Sequence, residues 1–195
     1  MLPVIKKIMI AVDFSDYTEP SVNYGISLAK DLKADLLLVN VVNSRNVTAI
    51  ENFLALQEPV LFQRFVEGTF TSHKQELEEK IERKEKIEDA HDVLAQQIQK
   101  YIEDTFNARE LELKKLLDMA SDQGVKGEAM VRHGVPYMAI LKVIKSESPD
   151  LIIVGAKGRS NLADAIVGSC AQKLYRRCPI PLLTVRHPKD IKENA

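Results

Sequence analysis

Short apolar runs alternating with segments of helical period constrain this chain more than any other feature of its sequence. The first run, Ile5 to Val12, is rich in β-branched residues and bounded by polar ones. A run that is apolar without alternation is the pattern of a strand buried on both faces. Asp13 to Ser15 end it. From Tyr17 to Leu32, apolar residues at Val22, Ile26, Ala29 and Leu32, with a proline near the start, predict a helix with one core face. Further strands are predicted over Asp35 to Val42, Glu128 to Arg132, Asp150 to Val154 and Ile180 to Val185, and further helices over Pro136 to Lys145 and Leu162 to Arg177. Strands and helices in this order imply an α/β fold, a doubly wound five-stranded parallel sheet with right-handed crossovers. Ligands of such sheets sit beyond the carboxyl ends of the strands, where the winding direction reverses. Two chemically suggestive positions fall at those ends, Asp13 after the first strand and Gly155 after the fourth.

The segment from 44 to 124 breaks the alternation, being too long for one loop and one crossover helix. Phe53, Phe62, Phe65 and Phe70 crowd its first part. Glu76 with Lys80, Glu79 with Arg83 and Glu82 with Lys86 then form i,i+4 pairs in the favourable order for a solvated helix. A later run, Ile98, Ile102, Phe106, Leu113, Leu116 and Leu117, has residues suited to packing on the sheet. The segment reads as a helical elaboration after the second strand, inside a single domain spanning 1–195. A chain of 195 residues buries one substantial core without disulfides or metals. Its formal net charge of -1 supplies no field that would draw it onto nucleic acid or anionic lipid. No stretch approaches the roughly 18 apolar residues of a membrane span. Cys170 and Cys178 match neither a CxxC redox pair nor a zinc-ligand pair, so reduced thiols in the cytoplasm are expected, with no metal site.

Glycine spacing is the main chemical signal. Gly155, Gly158 and Gly168, the last followed by Ser169, place backbone without side chains directly after the fourth strand and again before a helix. Such backbone can converge its N–H groups on an anion, and a helix beginning near Ser169 adds roughly half a positive charge at its N-terminus. Three glycines near strand and helix ends can equally serve turns and caps. Here they coincide with the ligand-binding end of the sheet and with the carboxylate of Asp13. Neither GxxxxGK[ST] nor a GxGxxG after a strand is present, which disfavours a Walker-type hydrolase or a dinucleotide oxidoreductase.

The opening KKIMIAVDFS, the second-strand LLLVNVV, the segment IIVGAKGRSNLADAIVGS and the closing RRCPIPLLTV together resemble the universal stress protein family, in its nucleotide-binding branch. The resemblance covers both ends of the chain and leaves out the insertion. It implies a Rossmann-like fold of the adenine nucleotide alpha hydrolase type and a site for ATP or another adenine nucleotide. On this resemblance Asp13 holds the ribose or adenine side and Val41 offers its backbone to the adenine edge. Val154, Gly155, Gly158, Gly168, Ser169, Cys170 and Ala171 line the ribose and phosphates. Ala11, also at the site, stands where some nucleotide-binding members carry proline, and Ala171 where many carry a hydroxyl residue, one phosphate hydrogen bond fewer. The resemblance also implies a homodimer through the fifth strand.

Lys157 and Arg159 lie inside the loop and are candidates for neutralising phosphate charge. Cys170, at a helix N-terminus, is a candidate for a lowered pKa, although a small residue chosen for fit explains it as well. His73, His91, His133 and His187 lack a serine or carboxylate at interpretable spacing, so no catalytic residue is assigned. The expected function is a cytoplasmic, nucleotide-dependent regulatory dimer of the stress response, with its protein partner unidentified. A slow ATP hydrolase or phosphotransferase, with Asp13 helping to hold magnesium, is the alternative enzyme reading, and the sequence offers it no general base. An interaction protein that has lost nucleotide and works through the insertion is a third.

Overall fold

The computed structural model describes residues 4–43, 87–158 and 167–192. Five strands, β1 (Lys7–Val12), β2 (Asp35–Asn43), β3 (Gly127–Gly134), β4 (Leu151–Gly155) and β5 (Leu182–Val185), form one parallel sheet in the order β3-β2-β1-β4-β5. The chain winds outward from β1 through β2 to β3, then crosses to the other side of β1 for β4 and β5. This is the doubly wound α/β architecture expected from the sequence. The helices are α1 (Thr18–Leu32), α2 (Ile87–Asp122), α3 (Pro136–Glu147), α4 (Ser169–Arg177) and α5 (Pro188–Lys192).

The central strands are apolar on both faces because both faces are covered. Ile8, Ile10 and Val12 of β1, with Leu36, Leu38 and Ile153, pack against Val22, Ile26 and Ala29 of α1 and Leu113 of α2. Met9, Leu37, Val39, Ile152 and Val154 point the other way, against Ile140, Val143 and Ile144 of α3 and Ala171 and Leu174 of α4. Before β4, Asp150 accepts the backbone N–H groups of Lys6 (2.7 Å) and Lys7 (2.9 Å) with one carboxylate oxygen. That clamp joins the starts of the two strands whose far ends carry Asp13 and Gly155.

Three expectations shift in detail. Leu32, assigned to the core face of its helix, is 42% exposed. The helix ends there: Lys33 adopts a left-handed backbone (φ 54°), and Ala34 donates its N–H back to the Ala29 carbonyl at 2.9 Å, turning the chain into β2. The last strand begins at Leu182, two residues later than predicted. Pro181 has no N–H for a ladder and contributes only its carbonyl, which accepts from Ile152 at 3.0 Å. Of the helix expected from Leu162 to Arg177, residues 162–166 lie outside the described residues, and the described helix starts at Ser169, because Gly168 before it is extended (φ -65°, ψ 151°).

By compactness the chain divides into two units, Met1–Asn43 with Phe106–Ala195, and Ser44–Thr105. The whole sheet belongs to the first. Of the second, the described part is the first half of α2; the phenylalanine-rich stretch and the charged i,i+4 pairs lie outside the described residues. From Phe106 onward α2 is part of the sheet unit. There Leu113 and Ala120 are buried, with Phe106, Leu116 and Leu117 partly buried beside them, a helical stripe that explains the periodicity of this run.

The stripe makes a direct test possible. Leu113→Ala should lower the unfolding free energy by about 2–4 kcal/mol, the scale for a fully buried leucine. Leu111→Ala, at a position 58% exposed on the same helix, should change it by less than about 0.5 kcal/mol. Urea unfolding followed by circular dichroism distinguishes the two.

Candidate functional site

The site begins where β1 ends. Asp13 follows Val12, and its Oδ1 accepts the backbone N–H of Ser15 (3.0 Å), the Ser15 hydroxyl (2.7 Å) and, at 3.4 Å, the Thr18 hydroxyl. An aspartate that folds back on the N–H two residues ahead makes a turn of its own, and this one leads into α1. Between them Phe14 takes a left-handed backbone (φ 58°), a conformation that bulky residues rarely occupy. Its ring is held by the guanidinium of Arg109, 4.9 Å from the ring centroid. Beneath the turn, buried Asn40 of β2 donates from Nδ2 to the Val12 carbonyl at 2.7 Å. The carboxylate is therefore supported from its own turn and from the neighbouring strand.

The loop after β4 meets this turn. A Cβ at Gly158 would lie 2.5 Å from Asp13 Oδ2, so only glycine allows the carboxylate to rest on the loop. Gly168 closes the other side: its N–H donates to the Ala156 carbonyl at 2.7 Å, and a Cβ there would lie 3.2 Å from the Lys157 Cα. Gly155 does the same for Tyr17, whose Cβ would be 2.7 Å from an added one. The glycine spacing of the sequence thus corresponds to three close approaches around one loop. Gly168 is also the cap of α4 and supplies no side-chain hydrogen bond to it. The first turn of α4, Ser169 to Ala171, consequently presents backbone N–H groups with no capping side chain among the described residues beside the loop.

Of the residues singled out from sequence, Asp13, Gly155, Gly158 and Gly168 converge here. Ala11 and Val154 are register partners on adjacent strands just below. Val41 is two residues beyond Val39, the partner of Ala11 on its other side. Ala11 and Val41 are both partly buried on the face shared with α3 and α4, the face that also holds Cys170 and Ala171. Ser169 is exposed at the start of α4. Arg159 lies outside the described residues.

Two expectations about charge change. Cys170 does not have a lowered pKa: burial pushes its thiol up to about 11, the Asp13 carboxylate adds to this, and Lys173 opposes it only weakly. Removal from water outweighs the helix N-terminus. Lys157, a candidate phosphate cation, faces a carboxylate of this same chain, with Nζ 3.5 Å from Asp190 Oδ1 on α5. Asp190 also accepts the Tyr17 hydroxyl on Oδ2. Tyr17 in turn meets the ring of His187 edge-on, centroids 5.8 Å apart, while His187 Nδ1 accepts the Lys189 N–H at 3.1 Å. Ala156 donates its N–H to the Val185 carbonyl at 2.8 Å, so the loop and the end of β5 are also joined through backbone. Sequence reading missed Tyr17 and Asp190. Nothing in local periodicity links a residue at the start of α1 to one near the chain terminus; the winding of β5 beside β4 brings them together.

Comparison with known proteins bears on the family and the fold. Residues 5–186 match the model of the universal stress protein family. The chain is 26% identical over 187 residues to universal stress protein MJ0577 of Methanocaldococcus jannaschii, covering 95% of this chain and 98% of the relative. Among solved structures it is similar to universal stress protein UspA from Lactobacillus plantarum, with a TM-score of 0.62 at 16% identity over 95% of this chain and 100% of that one. It is also similar to a universal stress protein solved in complex with cAMP, with a TM-score of 0.50 at 15% identity over 94% and 98% of the two chains.

Two measurements probe the charges. Asp190 is held below the ordinary carboxylate value of 3.8, first by the Tyr17 hydroxyl; burial, the next largest effect, opposes this, and Lys157 and then His187 add to the lowering. Its folded pKa is depressed, so its stabilisation is complete above the unfolded value and is lost as pH falls through the folded one. The melting-temperature difference between the native protein and Asp190→Asn should be constant above about pH 5 and shrink below about pH 4. Cys170, with its raised pKa, should resist iodoacetamide at neutral pH while the native fold persists and react once the protein is unfolded, as read by mass spectrometry.

Proposed function

The chain belongs to the universal stress protein family, and from that premise we propose that it binds an adenine nucleotide, with ATP the foremost candidate, between the ends of β1 and β4. The observation that carries this reading is the closure of Gly168 onto the β4 loop. That one backbone hydrogen bond sets the uncapped first turn of α4 beside Gly155 to Gly158, and backbone donors of this kind at a helix N-terminus suit phosphate oxygens. The position supports it too, since β1 and β4 are the strands between which the winding reverses.

The residues present fit such a ligand. Gly155 and Gly158, where a Cβ would collide, and Gly168, where one would be crowded against the Lys157 backbone, make a cradle without side chains. Asp13, resting on Gly158, is an acceptor suited to ribose hydroxyls and unsuited to direct contact with phosphate. Half-buried Ala11 and Val41, on the strand ends beside it, offer apolar surface for a base, and the backbone of Val41 offers it an edge. Ser169, Cys170 and Ala171 would give their N–H groups to phosphate, and the Ser169 hydroxyl a further donor; Val154 floors the ribose. A bound nucleotide needs no chemistry to act here: by bridging the Asp13 turn and α4 it would bias the two sides of the sheet into one arrangement, the basis of a nucleotide-dependent regulator. In this reading the protein acts in the cytoplasm as a homodimer. Among the described residues the β5 strand is at the sheet edge, and its outer side would pair with a second copy.

The direct test is to release small molecules from the purified protein by heat, identify any adenine nucleotide, and then titrate the emptied protein with ATP with and without magnesium. Detection of neither bound nor titratable nucleotide would refute the proposal. Gly168→Val should weaken ATP binding by about tenfold or more, the equivalent of one or two charge-assisted hydrogen bonds, because a larger side chain would press on the backbone of Lys157 and Ala156. Circular dichroism and the melting temperature establish that the variant is folded; a folded variant with native affinity removes the phosphate loop from the proposal.

A further inference from the structure

Arg109 stands where the helical period of α2 calls for an apolar residue. Steps of three and four residues place it in one stripe with Phe106, Leu113, Leu116 and Ala120, the stripe that α2 lays against the core. The side chain is half-buried there, and arginine is seldom withdrawn from water without a partner. Among the described residues no carboxylate pairs with it. What it meets is the ring of Phe14, whose centroid lies 4.9 Å from the guanidinium carbon.

Phe14 is the residue through which the Asp13 turn closes. Asp13 Oδ1 accepts both the N–H and the hydroxyl of Ser15, at 3.0 and 2.7 Å, and the chain joins the two residues through Phe14 alone. With φ at 58° the Ser15 N–H meets the carboxylate; a return of Phe14 to an ordinary backbone conformation would carry it away. A bulky residue stays in the left-handed region only where its surroundings hold it. Two contacts are described for this ring: the core on the α1 and α2 side of the sheet, against which it is partly buried, and Arg109. The other oxygen of the same carboxylate, Oδ2, lies 2.5 Å from where a Cβ of Gly158 would be. The turn therefore fixes at once where Oδ1 accepts and where Oδ2 faces the β4 loop.

We infer that Arg109 is a positioning residue for the candidate site: by holding the Phe14 ring it keeps that backbone left-handed and the Asp13 carboxylate set against the β4 loop. Ligand affinity then depends on a side chain in the core stripe of α2, outside the two loops that form the site. Without the cation, Phe14 relaxes and the binding-competent turn becomes a smaller fraction of the population, which weakens apparent affinity by that fraction. The effect on affinity rests on the nucleotide-binding reading above; the effect on the turn does not.

Two substitutions and their combination test this. Arg109→Met keeps a long apolar stem and removes the cation; Phe14→Gly removes the ring and lets a left-handed backbone stand unaided. In Arg109→Met the Ser15 amide of the ligand-free protein, followed by NMR, should exchange about threefold faster, and ATP titrated calorimetrically should bind about threefold more weakly, the scale of one partly exposed cation–π contact. In the Phe14→Gly background Arg109→Met should change neither quantity, because the two residues act as one unit. A merely structural role for Arg109 would leave the loss in place whichever residue occupies position 14. Arg109→Lys, which returns a cation to the ring, should recover most of the native exchange and affinity, and it is the deciding variant should Phe14→Gly not fold. Native ATP affinity in folded Arg109→Met overturns the inference while the nucleotide reading stands. So does an equal loss in the Phe14→Gly background, or an equal loss in Arg109→Lys and Arg109→Met. If the native protein binds no adenine nucleotide, the nucleotide reading is refuted, and Ser15 exchange alone then decides whether Arg109 holds the turn.

Discussion

The pairing of β1 between β2 and β4 is the constraint on which the rest depends. Ile8, Met9 and Ile10 are completely buried, and each points into one of two cores, so the strand can keep its backbone satisfied only through ladders on both sides. Placing β1 in the middle also decides where the chain must reverse its winding. The gap between the ends of β1 and β4 is a consequence of that reversal, and the Asp13 turn and the Gly155 loop face each other across it. Asp150, clamping the other ends of the same two strands, fixes their relative height. The site is thus set by sheet topology first and by side-chain chemistry second.

Most of this fold was legible in the sequence because strands buried on both faces leave a signal that needs no partner to interpret. The runs IMIAV, DLLLVNVV and LIIV each declare themselves locally, as does the stripe of Val22, Ile26 and Ala29 in α1. Boundaries were less legible where a single backbone event decides them, as at Lys33, Pro181 and Gly168. The site was half legible. Glycine positions and Asp13 stood out because few structural roles demand those residue types at that spacing. The charge pattern did not, since Lys157 and Asp190 are far apart in sequence and become neighbours only after β5 lies down beside β4. Cys170 shows the converse. Its place at a helix start suggested an acidified thiol, but the side chain turns into the core against α3 and α4, and its degree of burial is a tertiary property.

The two edges of the loop also differ in kind. On the α4 side, Gly168 and Ala156 make a backbone contact that most substitutions elsewhere would leave intact. On the α5 side, a phenol, a carboxylate and an ammonium make contacts that depend on side-chain identity and on protonation. A scaffold of this construction can keep its cradle while the surrounding charges vary, which suits a family whose members share a fold at identities as low as those found here.

Asn40 has a consequence for how the sheet finds its alignment. A strand such as LLLVNVVN is apolar on both faces, so sliding it by one residue would exchange one set of branched side chains for another and lose little burial, whereas a strand with one wet face would be inverted by the same slip. Its hydrophobic pattern is therefore a weak guide to register. The amide is a strong one. It is buried to 2% exposure, its Nδ2 reaches the Val12 carbonyl, and its Oδ1 has no hydrogen-bond partner among the described residues. In a slipped ladder the donor would lose its carbonyl as well, leaving both ends of a buried amide unmet. One half-satisfied side chain thus tells β2 where to stop beside β1, and in doing so sets Val41 level with the end of β1 from which the Asp13 turn departs.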